Sequence, residues 1–494
     1  MRLSQLLNVE NNLEVSGLSL DTRSLNKGDV FFAIKGQHVD GRTLIAQALE
    51  RGAAAVLFDP ADAPNTVPHA ANVIAVPDLS KKISQMAGEF YQNAGEKLKL
   101  IGVTGTNGKT SVTHYMARLL DAVQMKTAVV GTLGVGFLGE LLPSSLTTPD
   151  PISVQSHLYS LWAQGAKAVA MEVSSHALVQ GRVEALPFEV AVFTNLSRDH
   201  LDFHGDMASY AEAKKRLFTA FQPKIAVMNA DDPTSHEWFK DLGKGTQAVA
   251  YGLSRVTQVQ NAQLLFAESC AFHESGIDVV LNGSFGKVHV NIPLLGRFNL
   301  YNALAALAGV LSLSDAPEKV FGALSTLSPA TGRMQLLGGN GMPRVVVDYA
   351  HTPDALQEVL KALRTHNPAR IHLVFGCGGD RDTGKRSEMA KIAETLADTV
   401  IVTDDNPRTE SGENIFADIR KGFESPTQHK FIHSRFDAIK TAIFAASQED
   451  VVLVAGKGHE DYQLIQDQKL SFSDIEQVER ILNERKATHP TASR

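Results

Sequence analysis

Residues 97–111 read KLKLIGVTGTNGKTS and place an apolar strand, a glycine-rich turn and the start of a helix in direct succession. The pattern predicts the strand over Leu98–Val103, and the apolar face that begins at Val112 predicts the helix. Gly105 and Gly108 allow several backbone N–H groups of the turn to point at one anion, which the positive end of the helix also attracts. The stretch therefore predicts a phosphate-binding loop.

The side chains of this loop suit a nucleotide. Lys109 would reach the β and γ phosphates, and Thr110 would offer its hydroxyl to Mg²⁺. The common pattern has a glycine where this chain has Val103, and a plain glycine-rich turn is the alternative. Gly-Lys-Thr at a strand-to-helix junction nevertheless favours nucleotide binding. The predicted contacts are Gly105, Thr106, Asn107, Gly108, Lys109, Thr110 and Ser111.

Composition indicates a globular enzyme with several domains. The 494 residues suffice for about three domains, and 44% apolar with 20% charged residues is ordinary for a soluble protein. A formal net charge of -7 argues against nucleic acid or anionic lipid as a partner and favours small-molecule substrates. Cys270 and Cys377 are too few for a disulfide framework. Without a signal-peptide pattern or a long apolar run, we expect a cytoplasmic protein with no membrane partner.

Three segments predict an α/β fold of three domains. Residues 1–97 have the pattern of a small α/β module, with a helix near 44–51. Residues 98–331 predict a mostly parallel sheet of the kind that phosphate-loop ATPases have, and residues 332–494 predict a second, Rossmann-like doubly wound module. The strands are predicted at 29–34, 54–58, 98–103, 168–173, 190–194, 225–228, 345–348, 372–375, 400–403 and 451–455.

A carboxylate ends one of the central strands. Glu172 follows a run of mainly apolar strand residues, and a carboxylate there would be costly in a core without a partner. Ligands bind at the carboxyl ends of such strands, so we interpret Glu172 as a Mg²⁺ ligand. Nearby His176 and Asp202 are more easily interpreted as structural residues.

The loop variant TGTNGKT resembles that of the Mur ligase and folylpolyglutamate synthetase superfamily, and the resemblance to Mur ligases covers the whole chain. It implies ATP and Mg²⁺ as cofactors and His200 as a further metal ligand. A hydrogen-bonded, helix-capping histidine is the alternative for His200 and for His204. In SYAEAKKRLF, Lys214 matches a lysine that Mur ligases carbamylate with CO2 to support a second Mg²⁺. By composition alone Lys214 would be a surface lysine, and Lys215 is the neighbouring alternative.

Other stretches resemble the substrate-binding parts of the Mur ligases that make UDP-N-acetylmuramoyl tripeptide. Residues 21–42 are similar to a UDP-binding pattern, while TTPD and EVSSHALVQGRV look like groups that hold the muramoyl dipeptide. Arg182 suits a carboxylate or a diphosphate because its planar fork donates two hydrogen bonds at once. The resemblance implies substrate contacts from Ser24, Gln37, His38, Thr147, Thr148, Ser174, Gln180 and Arg182.

Two motifs near residue 331 resemble the adenosine side of the superfamily's ATP site. LLGRFNLYNALAALA implies Asn299 and Asn302, whose amides can both donate to and accept from a base edge. ATGRMQ implies that Arg333 touches the phosphates, and VVVDYAHTPDAL places Asp348 on the ribose. A helix-capping aspartate near Thr352 is the alternative for that last motif.

The last segment carries three polar turns at strand ends, GCGGDRDTGKR, TDDNPRTE and AGKGHEDY, which should converge at one sheet edge. DNPR resembles the motif of Mur ligases that take meso-diaminopimelate. Arg408 would bind the distal carboxylate of that amino acid and disfavour lysine, although a surface arginine in a proline turn is the alternative. The implied set is Arg381, Asp405, Asn406, Pro407, Arg408, Gly456 and Glu460. Lys457 and His459 look more like phosphate-end or structural groups, and their roles are left open.

The resemblance implies an ATP-dependent amide ligase that activates a carboxylate as an acyl phosphate, with Lys109, Glu172, His200 and Lys214 as the catalytic set. It predicts a UDP-N-acetylmuramoyl dipeptide, meso-diaminopimelate and ATP as substrates of a monomer. A lysine-adding ligase is disfavoured by Arg408, and folylpolyglutamate synthetase by the N-terminal module. A nucleotide-regulated binding protein without amide chemistry is the rival from another class.

Overall fold

The computed structural model describes residues 1–7, 13–36, 39–64, 67–254, 259 and 261–488. These residues form an α/β protein. The strands are β1 (Gly17–Ser19), β2 (Asp29–Ala33), β3 (Ala55–Phe58), β4 (Val73–Ala75), β5 (Lys99–Thr104), β6 (Thr127–Gly131), β7 (Gly134–Phe137), β8 (Ala168–Glu172), β9 (Phe188–Phe193), β10 (Ile225–Asn229), β11 (Gln247–Gly252), β12 (Gln263–His273), β13 (Gly276–Gly283), β14 (Val288–Ile292), β15 (Gln335–Gly338), β16 (Arg344–Asp348), β17 (Ile371–Phe375), β18 (Thr399–Thr403), β19 (Lys430–Ile432), β20 (Val451–Ala455), β21 (Tyr462–Ile465) and β22 (Gln468–Ser471). The α-helices are α1 (Leu3–Leu7), α2 (Ile45–Glu50), α3 (Leu79–Phe90), α4 (Lys109–Ala122), α5 (Pro151–Ala163), α6 (Ser175–Val179), α7 (Leu201–His204), α8 (Met207–Thr219), α9 (Pro233–Lys240), α10 (Arg297–Leu311), α11 (Pro317–Ala323), α12 (Pro353–Arg364), α13 (Gly384–Leu396), α14 (Gly412–Arg420), α15 (Arg435–Ala445) and α16 (Asp474–Thr488).

The chain divides into two compact units, and the first consists mostly of Met1–Gly252 with Ala305–Val320. Its N-terminal part is a parallel sheet in the order β1-β2-β3-β4, whose apolar core includes Val30, Phe32 and Leu57. Its larger sheet runs β11-β10-β9-β5-β8-β6 with parallel pairing, and β7 adds an antiparallel edge to β6. Strands β5 and β8 are mostly apolar, and all of their residues except Lys99 are buried, as expected for a parallel sheet covered by helices on both faces.

This strand order positions the candidate site of the first unit. Because β5 lies between β8 and β9, the turns that follow these three strands meet at one sheet edge. The phosphate loop follows β5, the residues after Glu172 follow β8, and Thr194 follows β9. Polar groups from distant parts of the sequence are thereby brought into contact.

The second unit consists mostly of Phe266–Leu304 and the chain from Phe321 onward. Strands β16, β20, β17, β18 and β19 pair in that order and in parallel, while β15 pairs antiparallel with β16. Since β20 lies between β16 and β17, the turn 456–460 lies between the turns that follow those two strands. The antiparallel pair β13–β14 precedes this sheet and was not predicted from the sequence.

The structure confirms the predicted α/β class and the ten predicted strands, each within two residues at either end. Buried apolar runs bounded by polar turns were sufficient to locate them. The proposed domain boundaries near residues 97 and 331 stay predictions. In the described ranges, no helix is long and apolar enough to cross a membrane.

Candidate active site

The phosphate loop is held against the turn that follows β9. Gly105 has a φ of 145°, and a Cβ at this position would lie 1.9 Å from the Thr194 hydroxyl oxygen, so only glycine fits without a shift. Thr106 N donates to Asn195 O at 2.8 Å, and the Thr194 hydroxyl donates to Asn107 O at 2.6 Å. These bonds hold the loop in one conformation. Local sequence carries no signal for the contribution of residues 194 and 195, which depends on the pairing of β5 with β9.

Lys109 begins helix α4 directly after Gly108, which has a φ of 89°. Its Nζ donates to the carbonyl oxygens of Gly105 and Thr106, both at 2.9 Å, so the ammonium lies over the loop. Thr110 and Ser111 are buried in the first helical turn. The N–H groups of Thr106 and Asn107 donate to Asn195 at 2.8 and 3.1 Å, so phosphate binding by this loop stays a prediction.

Thr110 and Glu172 are joined directly. The Thr110 hydroxyl donates to Glu172 Oε1 at 3.0 Å, and Thr132 N donates to the same oxygen at 2.8 Å. The Glu172 side chain is buried, and Gly131 makes room for it, because a Cβ there would stand 2.1 Å from Oε1. A carboxylate beside a threonine hydroxyl is a set of hard oxygen donors that suits Mg²⁺. Thr132 was missed, since only the pairing of β6 with β8 brings it to Glu172.

Lys214 is buried on helix α8, with 1% of its surface exposed. Its Nζ donates to Gly105 O at 2.9 Å and lies 4.3 Å from the centre of the Tyr210 ring. Burial lowers the pKa of Lys214 well below its usual value, and the charge of Lys109 lowers the pKa further. The surface-lysine interpretation therefore fails for Lys214. Lys215 instead forms an ion pair with Asp241 at 2.6 Å.

Three histidines lie together near the start of helix α7. The rings of His176 and His200 meet edge to face at 4.8 Å, and His204 Nε2 is 2.9 Å from the Ser175 hydroxyl. His200 precedes the helix with a φ of 53°, and its side chain makes no capping hydrogen bond to the described residues. Burial, followed by the nearby charges of His200 and His204, lowers the pKa of His176 to about 4. Within the described ranges, no group of three or more His, Cys, Asp or Glu side chains is arranged to hold a metal ion.

The residues predicted to hold the dipeptide form one hydrogen-bonded group. The Thr148 hydroxyl donates to Glu172 O at 2.8 Å and accepts from Ser174 N at 3.1 Å. Arg182 donates through Nη1 to Thr148 O at 2.7 Å and through Nε to Gln180 Oε1 at 2.9 Å. The group is therefore bonded to the backbone carbonyl of Glu172 at the end of β8.

The remaining residues predicted for this substrate are placed as follows. The Thr147 hydroxyl is 3.1 Å from that of Thr132, beside Glu172. Ser24 is exposed in the N-terminal module, where its hydroxyl donates to Asp21 O at 3.2 Å. Gln37 and His38 lie outside the described residues.

In the second unit, the predicted adenine-side asparagines contact each other. Asn302 Nδ2 donates to Asn299 Oδ1 at 3.2 Å, and Asn299 Nδ2 donates to Leu295 O at 2.9 Å. Asp348 is buried at the end of β16 and accepts from Met334 N at 2.7 Å. Its carboxylate stabilises the turn after β16, and the following helix α12 is capped by Thr352, not by an aspartate.

Arg333 and His459 form a cluster around one aromatic ring. The Arg333 guanidinium lies 4.5 Å from the centre of the Tyr349 ring, and the His459 ring lies 5.0 Å from it. Arg333 Nε and His459 Nδ1 are buried and make no hydrogen bond to the described residues. Burial, followed by the charge of Arg333, lowers the pKa of His459 to about 4. Buried polar atoms that lack a hydrogen-bond partner are rare and often mark a binding site.

The DNPR turn meets the two other turns predicted to converge with it. Arg408 Nη1 donates to Gly379 O at 2.8 Å and lies 3.4 Å from Asn406 O. Asn406 Nδ2 donates to Glu460 Oε2 at 3.0 Å. Arg408 adopts a φ of 52°, which is uncommon for a side chain of this size.

The other residues of this set lie close to these contacts. A Cβ on Gly456 would stand 2.9 Å from Asp405 Oδ2, and a Cβ on Gly379 would stand 1.9 Å from Pro407 O. Arg381 is exposed on the turn after β17. Lys457 is fully buried, and its Nζ is 3.3 Å from Asp405 Oδ1 and 3.4 Å from Glu460 Oε2. Sequence reasoning left Lys457 without a role, because its motif alone does not show that it is buried.

Comparison with known proteins relates this architecture to one family. Family models match residues 14–91 (Mur ligase family, catalytic domain), 103–310 (Mur ligase middle domain) and 332–458 (Mur ligase, glutamate ligase domain). A Pseudomonas aeruginosa protein, strain PAO1, named UDP-N-acetylmuramoyl-L-alanyl-D-glutamate--2,6-diaminopimelate ligase, is 49% identical over 98% of both chains. The chain belongs to the Mur ligase family.

Further relatives of this Mur ligase support the assignment. A Vibrio vulnificus protein of the same name is 46% identical over 95% of both chains. A solved structure of an enzyme of that name is 36% identical, with a TM-score of 0.73 over 98% of this chain and 99% of the other. A folylpolyglutamate synthase from Mycobacterium tuberculosis, 18% identical, matches with a TM-score of 0.61 over 76% of this chain and 92% of its own, and shares the fold.

Proposed function

We propose that this Mur ligase joins meso-2,6-diaminopimelate to the D-glutamate of UDP-N-acetylmuramoyl-L-alanyl-D-glutamate and converts ATP to ADP and phosphate, in the synthesis of peptidoglycan precursors. The observation that carries the proposal is the contact of the DNPR turn with Gly379 and Glu460, in a chain 49% identical to a ligase of that name. ATP-dependent amide-bond formation follows from the same family membership.

The choice of amino acid rests on charge. Diaminopimelate and lysine differ by a carboxylate on the far carbon, and Arg408 can bind that group with two parallel hydrogen bonds. In our proposal Arg381 assists with the same carboxylate, and Glu460 takes the distal ammonium. Lysine would leave the Arg408 guanidinium without its anion, which disfavours the lysine-adding alternative.

The carboxylate of the dipeptide must first gain a good leaving group. Its oxygen attacks the γ-phosphorus of ATP, the bond to the β-γ bridging oxygen breaks, and an acyl phosphate and ADP form. The Lys109 ammonium, held over the loop at 2.9 Å from two carbonyl oxygens, offsets the negative charge that gathers on the phosphate. The amine of diaminopimelate then attacks the acyl carbon, and phosphate and a proton leave.

Mg²⁺ fits the oxygen donors beside the loop. We propose that the Thr110 hydroxyl and the Glu172 carboxylate, 3.0 Å apart, hold it, with His200 as a further ligand. When bound, the ion supplies positive charge that offsets repulsion between the two reacting anions. The buried position of Glu172 supports this role, because a carboxylate there would otherwise be costly.

We propose that Lys214 carries a carbamate. The neutral amine attacks the carbon of CO2, an N–C bond forms as one C–O π bond opens onto oxygen, and the nitrogen loses a proton. A potential cation thereby becomes an anion that would support a second Mg²⁺. The lowered pKa of Lys214 favours the neutral amine that this step needs. Lys215, paired with Asp241 at 2.6 Å, is less suited to it.

The other assigned residues complete the proposed substrate contacts. Asn299 and Asn302 would hold adenine, Asp348 the ribose and Arg333 the phosphates. The bonded group of Thr148, Ser174, Gln180 and Arg182 would hold the muramoyl dipeptide, and Ser24 would contact UDP. A monomeric state and a cytoplasmic location stay predictions of the sequence.

ADP release tests the proposal against a nucleotide-regulated binding protein. We expect release from ATP and Mg²⁺ only when both the UDP-dipeptide and diaminopimelate are present, together with a product of the mass of the tripeptide. The reaction without either substrate is the control. Equal ADP release in that control, or no tripeptide in the full reaction, would contradict ligation.

A further inference from the structure

Lys457 is a fully buried lysine among recognition groups. It lies in the turn after β20, and its Nζ is 3.3 Å from Asp405 Oδ1, 3.1 Å from Asn406 Oδ1 and 3.4 Å from Glu460 Oε2. Burying an ammonium is costly unless anions and hydrogen-bond acceptors surround it. Asp405 and Glu460 supply the anions, so the lysine and the two carboxylates depend on one another.

The charges of this cluster do not balance. Asp405 and Glu460 bring two negative charges, and Lys457 brings one positive charge. Arg435, a buried cation beside Gly456, is already paired with Asp474, which it contacts at 2.7 Å through both Nε and Nη2. Among Asp405, Glu460 and Lys457 one negative charge therefore remains. A single ammonium of the substrate would balance this charge.

Lys457 also fixes the orientation of a neighbouring amide. Asn406 Oδ1 accepts from Lys457 Nζ at 3.1 Å and from Leu464 N at 2.9 Å. With the oxygen so committed, Asn406 Nδ2 must face Glu460 Oε2, to which it donates at 3.0 Å. The carboxylate of Glu460 is thus held from two sides.

We infer that Lys457 is a positioning residue for diaminopimelate: it neutralises Asp405 and orients Asn406 and Glu460, so that Glu460 is left to take the distal ammonium of the amino acid. The inference rests on the proposed function. Lys457 itself need not touch the substrate. If Lys457 only filled space in the core, the affinity for diaminopimelate would not depend on the charge of Asp405.

Steady-state kinetics of Lys457→Met test this role. Without the ammonium, Asp405 and Glu460 would repel each other and Asn406 would lose its donor. We expect the KM for diaminopimelate to rise at least about tenfold, while the KM values for ATP and for the UDP-dipeptide stay within about twofold. Lys440→Met is the matched control, because Lys440 pairs with Glu484 at the surface of the same unit.

A second variant separates the effect of charge from that of packing. It also keeps the inference testable if Lys457→Met does not fold. Asp405→Asn combined with Lys457→Met removes one charge of each sign and keeps the net charge of the cluster. We expect the double variant to fold and to have a several-fold lower KM for diaminopimelate than Lys457→Met. If the single variant does not fold, the double variant must still fold and turn over diaminopimelate.

The outcomes separate this inference from the proposed function. Wild-type protein that shows no turnover with diaminopimelate would overturn the proposed function, and the inference with it. Wild-type turnover together with an unchanged KM in Lys457→Met, or an equal rise of all three KM values, would overturn the inference alone. A double variant that does not fold, or that does not improve on the single variant, would do the same.

Discussion

Lys214 Nζ lies 2.9 Å from the carbonyl oxygen of Gly105, the same oxygen that Lys109 Nζ contacts at 2.9 Å. Two lysines, one from helix α4 and one from helix α8, therefore share one acceptor in the phosphate loop. Their mutual repulsion adds to burial in lowering the pKa of Lys214. An ammonium at this place would also repel Mg²⁺ and compete with Lys109, whereas a carbamate would not.

Replacing Lys214 tests the carbamate. In Lys214→Ala we expect kcat to fall by about 100-fold or more, because an anion that supports a metal beside the transferred phosphate is lost. A short carboxylate such as acetate, added to this variant, should restore part of the activity by occupying the vacated space. Rates of phosphate release with and without acetate measure both effects.

Lys215→Ala is the control for that experiment. Lys215 is partly exposed and pairs with Asp241, so its removal should cost no more than about 1 kcal/mol of stability and leave kcat unchanged. Full activity in Lys214→Ala, or an equal loss in Lys215→Ala, would refute the assignment of the carbamate to Lys214.

Glu172→Gln tests the proposed metal site. The amide oxygen can still accept from the Thr110 hydroxyl and from Thr132 N, so the variant removes charge and keeps these two hydrogen bonds. We expect the Mg²⁺ concentration for half-maximal activity to rise about 10- to 100-fold. Glu189→Gln, which removes a carboxylate paired with Lys99 at 3.3 Å, is the matched control. An unchanged Mg²⁺ dependence in Glu172→Gln would exclude the residue as a ligand.

Two histidines of the second unit should contribute with opposite signs to the pH dependence of folding stability. The pKa of His459 is lowered from 6.5 to about 4, so between these values the unfolded chain binds a proton that the folded chain does not, and stability falls as pH falls. Hydrogen bonds to Glu413 and then Asp404 raise the pKa of His433. The stability that His433 contributes to the folded state is therefore fully present below pH 6.5, and it is lost as pH rises through the raised pKa.

Unfolding midpoints measured from about pH 4 to about pH 8 check both signs. His459→Gln should flatten the loss of stability as pH falls from 6.5 to about 4, and His433→Gln should remove the loss that His433 causes as pH rises above 6.5. The comparison is between slopes, so a constant packing cost in either variant does not matter. Curves that stay parallel to that of the wild type in both variants would contradict the assigned shifts.

Arg408→Lys tests recognition of the distal carboxylate. Lysine keeps the charge but loses the planar fork, so we expect kcat/KM for diaminopimelate to fall by about 10- to 100-fold. The KM for ATP should not change. Arg420→Lys is the control, since Arg420 packs on Phe431 in the same unit, 4.2 Å from the ring centre. Equal losses in the two variants would show that the Arg408 effect is not specific.

The sequence predicted the strands well because a buried parallel strand is apolar along its whole length, as in Val451–Ala455. It also predicted that DNPR would meet GKGHE, since strand ends converge at one sheet edge. It could not show the burial of Lys457 or the contact of Thr132 with Glu172, because both depend on which strands are neighbours. The pair β13–β14 was missed because the predicted strands are buried apolar runs, whereas Val288–Ile292 has the apolar–polar alternation of a strand with one exposed face.

The most direct test of the central claim is phosphate release by the wild-type protein with ATP, Mg²⁺ and UDP-N-acetylmuramoyl-L-alanyl-D-glutamate, with meso-diaminopimelate or L-lysine added in parallel. We predict turnover with diaminopimelate and none above background with lysine. Turnover with lysine at a comparable rate would contradict the role of Arg408, and no turnover with either amino acid would contradict the proposed ligase activity.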